Sequence, residues 1–234
     1  MRNLPRTTRL IAPALLLVLA GCFKLSRESP PLRLYVLSGT AAGAAPTSSA
    51  MATAPGAGGL TVGLRRMELA SYLSEPAIVV RRGTNELITT EFHRWGEDLD
   101  AGINRVVGAY LASSSPVRAV EVAPWQTRAK HDFIVQLHVT RFEGTADSAA
   151  TQGNVHVQAG WDIVRPFDGR VLIRGSSDDR SGSFRVGDYG ALVTGLDAAL
   201  QRVARDISAC LARFPNDSTP PANCSTAAGV GTTR

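Results

Sequence analysis

Residues 131–174 read HDFIVQLHVTRFEGTADSAATQGNVHVQAGWDIVRPFDGRVLIR. Within 131–143, Phe133, Val135, Leu137 and Val139 alternate with Gln136, His138 and Thr140. Within 153–165, Val155, Val157, Ala159, Trp161 and Ile163 alternate with Asn154, His156, Gln158 and Asp162. Within 169–174, Val171 and Ile173 alternate with Arg170 and Arg174. Because successive side chains on a strand point to opposite faces, this period predicts antiparallel strands with one face buried and the other wet. Pro166-Phe167-Asp168-Gly169 supplies the turn chemistry between the last two.

A helix pattern stands on each side of these strands. Over 97–112, Leu99, Ile103, Val106 and Tyr110 recur at helical spacing, and Val107 and Leu111 widen the stripe. Glu97, Asp98 and Asp100 place negative charge in the first turn, where the macrodipole favours it. From Asp188 to about Arg213, Leu192, Leu196, Leu200, Val203, Ile207 and Leu211 form a second stripe, and Asp197, Gln201, Arg202, Arg205 and Asp206 are expected to face outward. Pro215 ends that pattern. Upstream, 32–37 and 60–64 read as strands and 68–74 as a short turn or helical piece. Residues 77–82 and 86–93, joined by Gly83-Thr84-Asn85, read as a hairpin. The fold class expected is therefore mixed α/β, a central and largely antiparallel sheet carrying two long amphipathic helices. A two-layer α+β arrangement is the alternative. The wet sheet face either stays wet, receives a helix or meets another subunit.

The N-terminus reads MRNLPRTTRLIAPALLLVLAGC. An arginine-bearing start precedes an apolar run from Leu10 to Leu19, which is shorter than the ~18–20 residues of a membrane-spanning helix. Leu19-Ala20-Gly21-Cys22 closes it as a bacterial lipobox would, with Cys22 taking diacylglycerol and an acyl chain after cleavage. The competing interpretation is an ordinary signal peptide with a coincidental cysteine. By resemblance to lipoproteins of two-membrane bacteria, Phe23, in place of Asp after that cysteine, implies sorting to the outer membrane, on its periplasmic face. The organisation expected is a signal peptide over 1–21, a lipidated tether over 22–31, a folded domain over 32–214 and a polar tail over 215–234. Residues 39–59, almost wholly Ala, Gly, Ser, Thr and Pro, read as a flexible loop inside the domain.

The whole chain has 234 residues, 44% of them apolar and 19% charged, the balance of a globular chain. Arg2, Arg6 and Arg9 account for three of its five net positive charges, so the processed protein is nearly neutral and no polyanion binder by composition. Setting Cys22 aside leaves Cys210 and Cys224. An even remainder in an exported protein suggests a disulfide closing a loop of about 15 residues. The alternative is two free thiols, with Cys210 packed as a small hydrophobe.

Little in the chain suggests chemistry. His138 and His156 could neighbour each other on the polar face of one hairpin; with His93 and His131 they complete the histidines, and a solvated face explains them better than a metal site. Asp178-Asp179 within GSSDDRSGS lacks the ligand alternation of a calcium loop and reads as a polar turn. No nucleophile elbow, zinc-protease or phosphate-loop motif occurs. No catalysis, metal or cofactor is expected, apart from the lipid on Cys22.

Residues 72–112 are the specific stretch. Tyr72-Leu73, Pro76, Ile78-Val79-Val80-Arg81 and Glu91-Phe92-His93-Arg94-Trp95, with Leu99 opening a helix, resemble the auxiliary lipoprotein family of ABC-type lipid transport systems, which includes paraquat-inducible protein C-like lipoproteins. The lipobox and Leu34-Tyr35-Val36-Leu37 fit the same pattern. The resemblance implies an acylated outer-membrane domain that docks a lipid-ferrying assembly, with a mammalian-cell-entry-type binding protein and an ABC permease and ATPase as partners. It further implies support of membrane integrity and assembly into rings of like subunits, with no role for nucleic acid. A periplasmic lipid- or solute-binding lipoprotein is the alternative, and a lipid-anchored hydrolase is a third class. Within the motif, Phe92 and Trp95 are expected to fill a strand-to-helix joint, and Arg94 to pair with Glu91 or Glu97. An exposed Trp95 would instead be an interface anchor.

Overall fold

The computed structural model describes residues 29–39, 59–126, 129–213 and 224–226. The expected signal peptide, Cys22, the interior of the expected 39–59 loop and most of the expected C-terminal tail lie outside these residues. A compact unit begins at Leu32.

Its spine is the hairpin that the alternating segments predict. Strand β7 (Phe133–Thr145) pairs antiparallel with β8 (Gln152–Val164), from Ile134 opposite Val164 to Thr145 opposite Asn154. The register shifts between Val139 and Arg141, so the buried apolar series 135, 137, 139 resumes at Phe142. One extra residue in one strand produces such a bulge and flips the side chains that follow it. Strand β9 (Val171–Asp179) continues antiparallel from β8 through the Pro166–Asp168 turn, which Gly169 closes at φ 69°. That positive φ is the left-handed region that suits glycine.

The other edge of β7 receives three short strands laid end to end. Each of β2 (Leu60–Leu64), β3 (Glu68–Leu69) and β4 (Ala77–Arg82) runs parallel to β7, opposite its beginning, middle and end. A 3-10 turn at Ser71–Leu73 separates the last two. Strand β4 turns back into β5 (Glu86–Trp95), and β1 (Arg33–Tyr35) lies parallel outside β5. Strand β6 (Val117–Val122), where the sequence suggests no element, runs parallel outside β2. Strands β10 (Ser183–Arg185) and β11 (Cys224–Thr226) complete an 11-stranded mixed sheet by pairing with β8 and β9. The mixed α/β class is the one the periodicity predicts; apart from the β1–β5 pair, its parallel pairs come from the 60–82 segment, which tracks β7 instead of reversing against it.

Helices α1 (Leu99–Ala112) and α2 (Tyr189–Leu211) pack on each other and on one face of this sheet. All of the predicted stripe residues of both helices are buried. Helix α2 opens where expected, with Asp188 accepting the Ala191 N–H at 2.9 Å. Asp197 departs from expectation. It is buried instead of outward, accepting the Tyr110 hydroxyl at 3.1 Å and also the Ser38 hydroxyl, and so ties both helices to the segment after β1. A buried carboxylate is tolerable there because several donors converge on it.

Cys210 and Cys224 form a disulfide with Cα atoms 6.0 Å apart, binding the last turn of α2 to β11. In the chain-entropy account a loop of that length contributes about 3 kcal/mol.

Candidate functional site

The sheet face turned away from the helices is covered by its own charges. Glu68 accepts from His138 at 3.0 Å; His138 lies 3.9 Å from Asp162, and Asp162 lies 3.4 Å from Arg174. Farther along the hairpin, Glu143 is 0% exposed. It accepts from Tyr72 Oη at 2.8 Å, Arg81 Nη2 at 3.0 Å and Arg141 Nη1 at 3.2 Å, with a further bond from Arg81 Nε. Arg81 also stacks over the Tyr72 ring, 5.7 Å from its centre. Burial and the neighbouring Glu143 push the Tyr72 phenol up to about 12.

Opposite Glu143 in the register stands His156, only 3% exposed. Its Nε2 lies 2.9 Å from Asp178 Oδ1, and Arg180 grips the same carboxylate at 3.0 Å. His138 stands opposite Gly160 instead, so the register holds the two histidines apart. His156 is therefore a buried imidazole paired with an exposed carboxylate, where the sequence suggests a solvated face. Likewise Asp178 and Asp179, read as a turn, are the last residues of β9, with Asp179 reaching Arg202 on α2 from the other side of the sheet.

Burial and then the Arg180 charge hold His156 below the usual imidazole range. The unfolded chain protonates its histidine near pH ~6.5 and so binds more protons than the folded one below that point. Stability is therefore expected to fall as the solution is acidified below about pH 6.5. The groups facing His156 that set this balance are Asp178, Arg180, Arg141 and Glu143. His156→Gln is expected to flatten the change in thermal midpoint between pH 7.5 and 5.5. An unchanged slope would assign the effect elsewhere.

The motif residues fall into three places. Tyr72 and Arg81 converge on Glu143, as above. Pro76 offers its carbonyl to the Trp95 N–H at 2.7 Å, and the buried Trp95 ring packs 5.8 Å from Phe142, filling the joint as expected. Being buried, Trp95 is no interface anchor. His93 accepts or donates through Nδ1 to Tyr35 Oη at 2.9 Å and lies 4.2 Å from the Tyr189 ring at the start of α2. Phe92 is half-buried, while Glu91 and Arg94 are exposed. Arg94 does not take the acid expected: its Nε donates to the Glu91 carbonyl at 3.3 Å, and Glu97 pairs with Arg105 instead. The run of strand β5 turns Arg94 to the exposed side, while Glu97, past the strand end, reaches along α1.

Sequence reasoning missed Glu143 and Asp197, the two buried acids on which these contacts depend. A signal for Glu143 was present: the alternation slips at Thr140-Arg141-Phe142, which marks a bulge and turns the next acid toward Arg81. Among the described residues no group of three or more His, Cys, Asp or Glu could hold a metal ion.

The family model of the ABC-type transport auxiliary lipoprotein component matches residues 35–208. No curated protein matches the chain. Among solved structures, a protein of Xanthomonas campestris is similar with TM-score 0.53 and 18% identity, covering 64% of this chain and 82% of that one. A second, described as an uncharacterized protein, is similar with TM-score 0.51 and 15% identity, covering 64% and 90%. A lipoprotein of Neisseria meningitidis is more distant, at TM-score 0.33 and 12% identity, covering 62% and 98%. At these identities the likeness is one of fold.

Proposed function

The chain belongs to the ABC-type transport auxiliary lipoprotein family, and we propose that it serves as the lipid-anchored periplasmic component of a mammalian-cell-entry-type intermembrane lipid transport system. The observation that carries this is the family match over 35–208 in a chain whose lipobox cysteine stands ten residues before the compact unit begins. Residues 23–31 supply a tether reaching at most about 30 Å when extended, enough to hold the folded body close to a membrane without embedding it. No helix among the described residues is long and apolar enough to cross a membrane, so acyl chains on Cys22 would supply the attachment. One chain binds marginally at ~0.8 kcal/mol per buried methylene, whereas two or three hold durably.

In this reading the protein sits on the periplasmic face of the outer membrane and presents a docking surface to the binding protein and to the permease with its ATPase. It thereby supports membrane integrity and does no chemistry of its own. The charged groups of the helix-free face support a binding role, since they are spent on one another: Glu143 on two arginines and a phenol, Asp178 on His156 and Arg180.

Cys22→Ser is expected to move the protein from the membrane fraction to the soluble periplasmic fraction. Retention in the membrane would count against the anchor. Affinity capture of the unaltered protein is expected to recover a mammalian-cell-entry-type protein, and its absence would count against docking.

A further inference from the structure

Along α1, between its outward side and the end of β6, runs a groove of about 600 Å³, within the size range of small-molecule sites. Small side chains make the space: Ala101, Gly108, Ala109 and Ala112 line the helix wall, and Val120, Val122 and Pro124 the opposite one. A Cβ added at Gly108 would stand 3.3 Å from Val122 Cγ2, so helix and strand approach each other closely there. Val122 is 40% exposed, an apolar side chain left open along this wall.

The groove's charged and amide side chains lie toward the start of α1, where Arg66, Asp98, Asp100, Asn104 and Arg105 line it. Arg66, Asp98 and Asp100 also line a second cavity of about 340 Å³ that adjoins this end and includes Ser74. The two spaces thus meet at a charged gate. Asn104 is 5% exposed and donates from Nδ2 to the Arg65 carbonyl at 3.4 Å, yet its Oδ1 accepts from nothing among the described residues. Asp98, at the N-cap of α1, makes no side-chain capping bond either. Arg66 gives Nε and Nη2 to Asp100 at 3.0 and 2.9 Å, and its side chain is 82% exposed, with further donors turned to solvent.

We propose that this groove holds one acyl chain of an aminophospholipid, the ammonium meeting the exposed Asp98 carboxylate and the phosphate lying beside Arg66. A bound peptide would present donors and acceptors along its whole length, whereas these walls offer polar groups at one end. An amphiphile with a single apolar tail and a donor-bearing head matches that division. The assignment adds a lipid contact to the transport reading and rests on it only for the presence of lipid at this surface.

The test uses the full mature chain carrying Cys22→Ser, without membranes or partners, so that its failure is distinct from failure of anchoring or docking. Lysophosphatidylethanolamine bearing a diazirine in its acyl chain is added below its micelle concentration, irradiated, and the label mapped on peptides. Label is expected within residues 101–124. Ala109→Trp, at an exposed position where the indole would fill the groove, is expected to reduce it about tenfold with the circular dichroism melt unchanged. Asp98→Asn is expected to erase the preference for the ethanolamine probe over the matching lysophosphatidylglycerol probe. Label spread over the surface, or undiminished by Ala109→Trp, would overturn the groove; a preference that survives Asp98→Asn would overturn the head-group contact.

Discussion

Arg81→Met is expected to destabilise the fold by about 3–5 kcal/mol, the cost of leaving one partner of a buried ion pair uncompensated. Glu143 has no exposure to water, and Arg81 is the group that grips both of its oxygens. Arg141 and Tyr72 remain in the variant, each reaching a single oxygen. The loss is read as a lower urea midpoint at unchanged slope, since the surface exposed on unfolding stays the same. The double variant Arg81→Met with Glu143→Leu is expected to recover most of it, because replacing both partners by apolar groups removes the buried charge together with its counterion. A single variant within about 0.5 kcal/mol of the parent, the range of ordinary surface substitutions, would mean that Glu143 is held by its other donors alone. The same network gives an alkaline signature. Tyr72 keeps its proton to about 12 in the folded state, whereas an unfolded tyrosine loses it near 10. Its contribution is therefore complete below about pH 10 and disappears between about pH 10 and 12.

This network shows how far the chain could be read in advance. Tyr72 and Arg81 stand out in the sequence because they sit in a recognisable pattern, but what they hold lies 62 residues beyond Arg81, on another strand. Strand pairing is a non-local fact, and periodicity fixes only which residues share a face. The hairpin of β7 and β8 and both helices were legible because each repeats its period over several turns or pleats. Strand β6 was not, since VRAVEV is short and an arginine and a glutamate interrupt it. The parallel placement of β2, β3 and β4 along β7 was equally hidden: nothing local distinguishes a segment that tracks a strand from one that folds back on it. Asp197 looked like one more charge on an amphipathic helix until Tyr110 and Ser38, from two other elements, were brought to it. Of the groove, the wall opposite α1 belongs largely to the strand that the sequence hid.

Gly175→Ala is the other substitution expected to act strongly, and here the cause is space. Gly175 pairs with Trp161 across β8 and β9, and the indole lies over the glycine backbone. A Cβ on residue 175 would stand 2.3 Å from Trp161 Cε2 and Nε1, far inside contact distance. The indole is rigid, 1% exposed and surrounded by the helix-facing core, so it cannot yield as the tip of a flexible side chain would. Overpacking of a dense core commonly costs 1–3 kcal/mol, and a forced displacement of Trp161 places this variant at or above about 3 kcal/mol. Shortening the partner separates this cause from others. Trp161→Leu alone leaves a cavity and is expected to cost about 3 kcal/mol, near the lower bound for removing a buried aromatic. It removes no hydrogen bond, since Nε1 has no partner among the described residues. In the double variant the alanine methyl occupies part of the vacated volume, so the two losses are expected to fall short of additive by about 2 kcal/mol, a coupling typical of residues in direct contact. Strict additivity in urea unfolding would show that the two side chains do not compete for one volume. Gly175 is also three residues before Asp178, so a β9 strand pushed away from Trp161 draws Asp178 from His156. Asp178 favours the protonated imidazole, so the single variant should then become more sensitive to acid, which a pH series of thermal midpoints on the same protein would read directly.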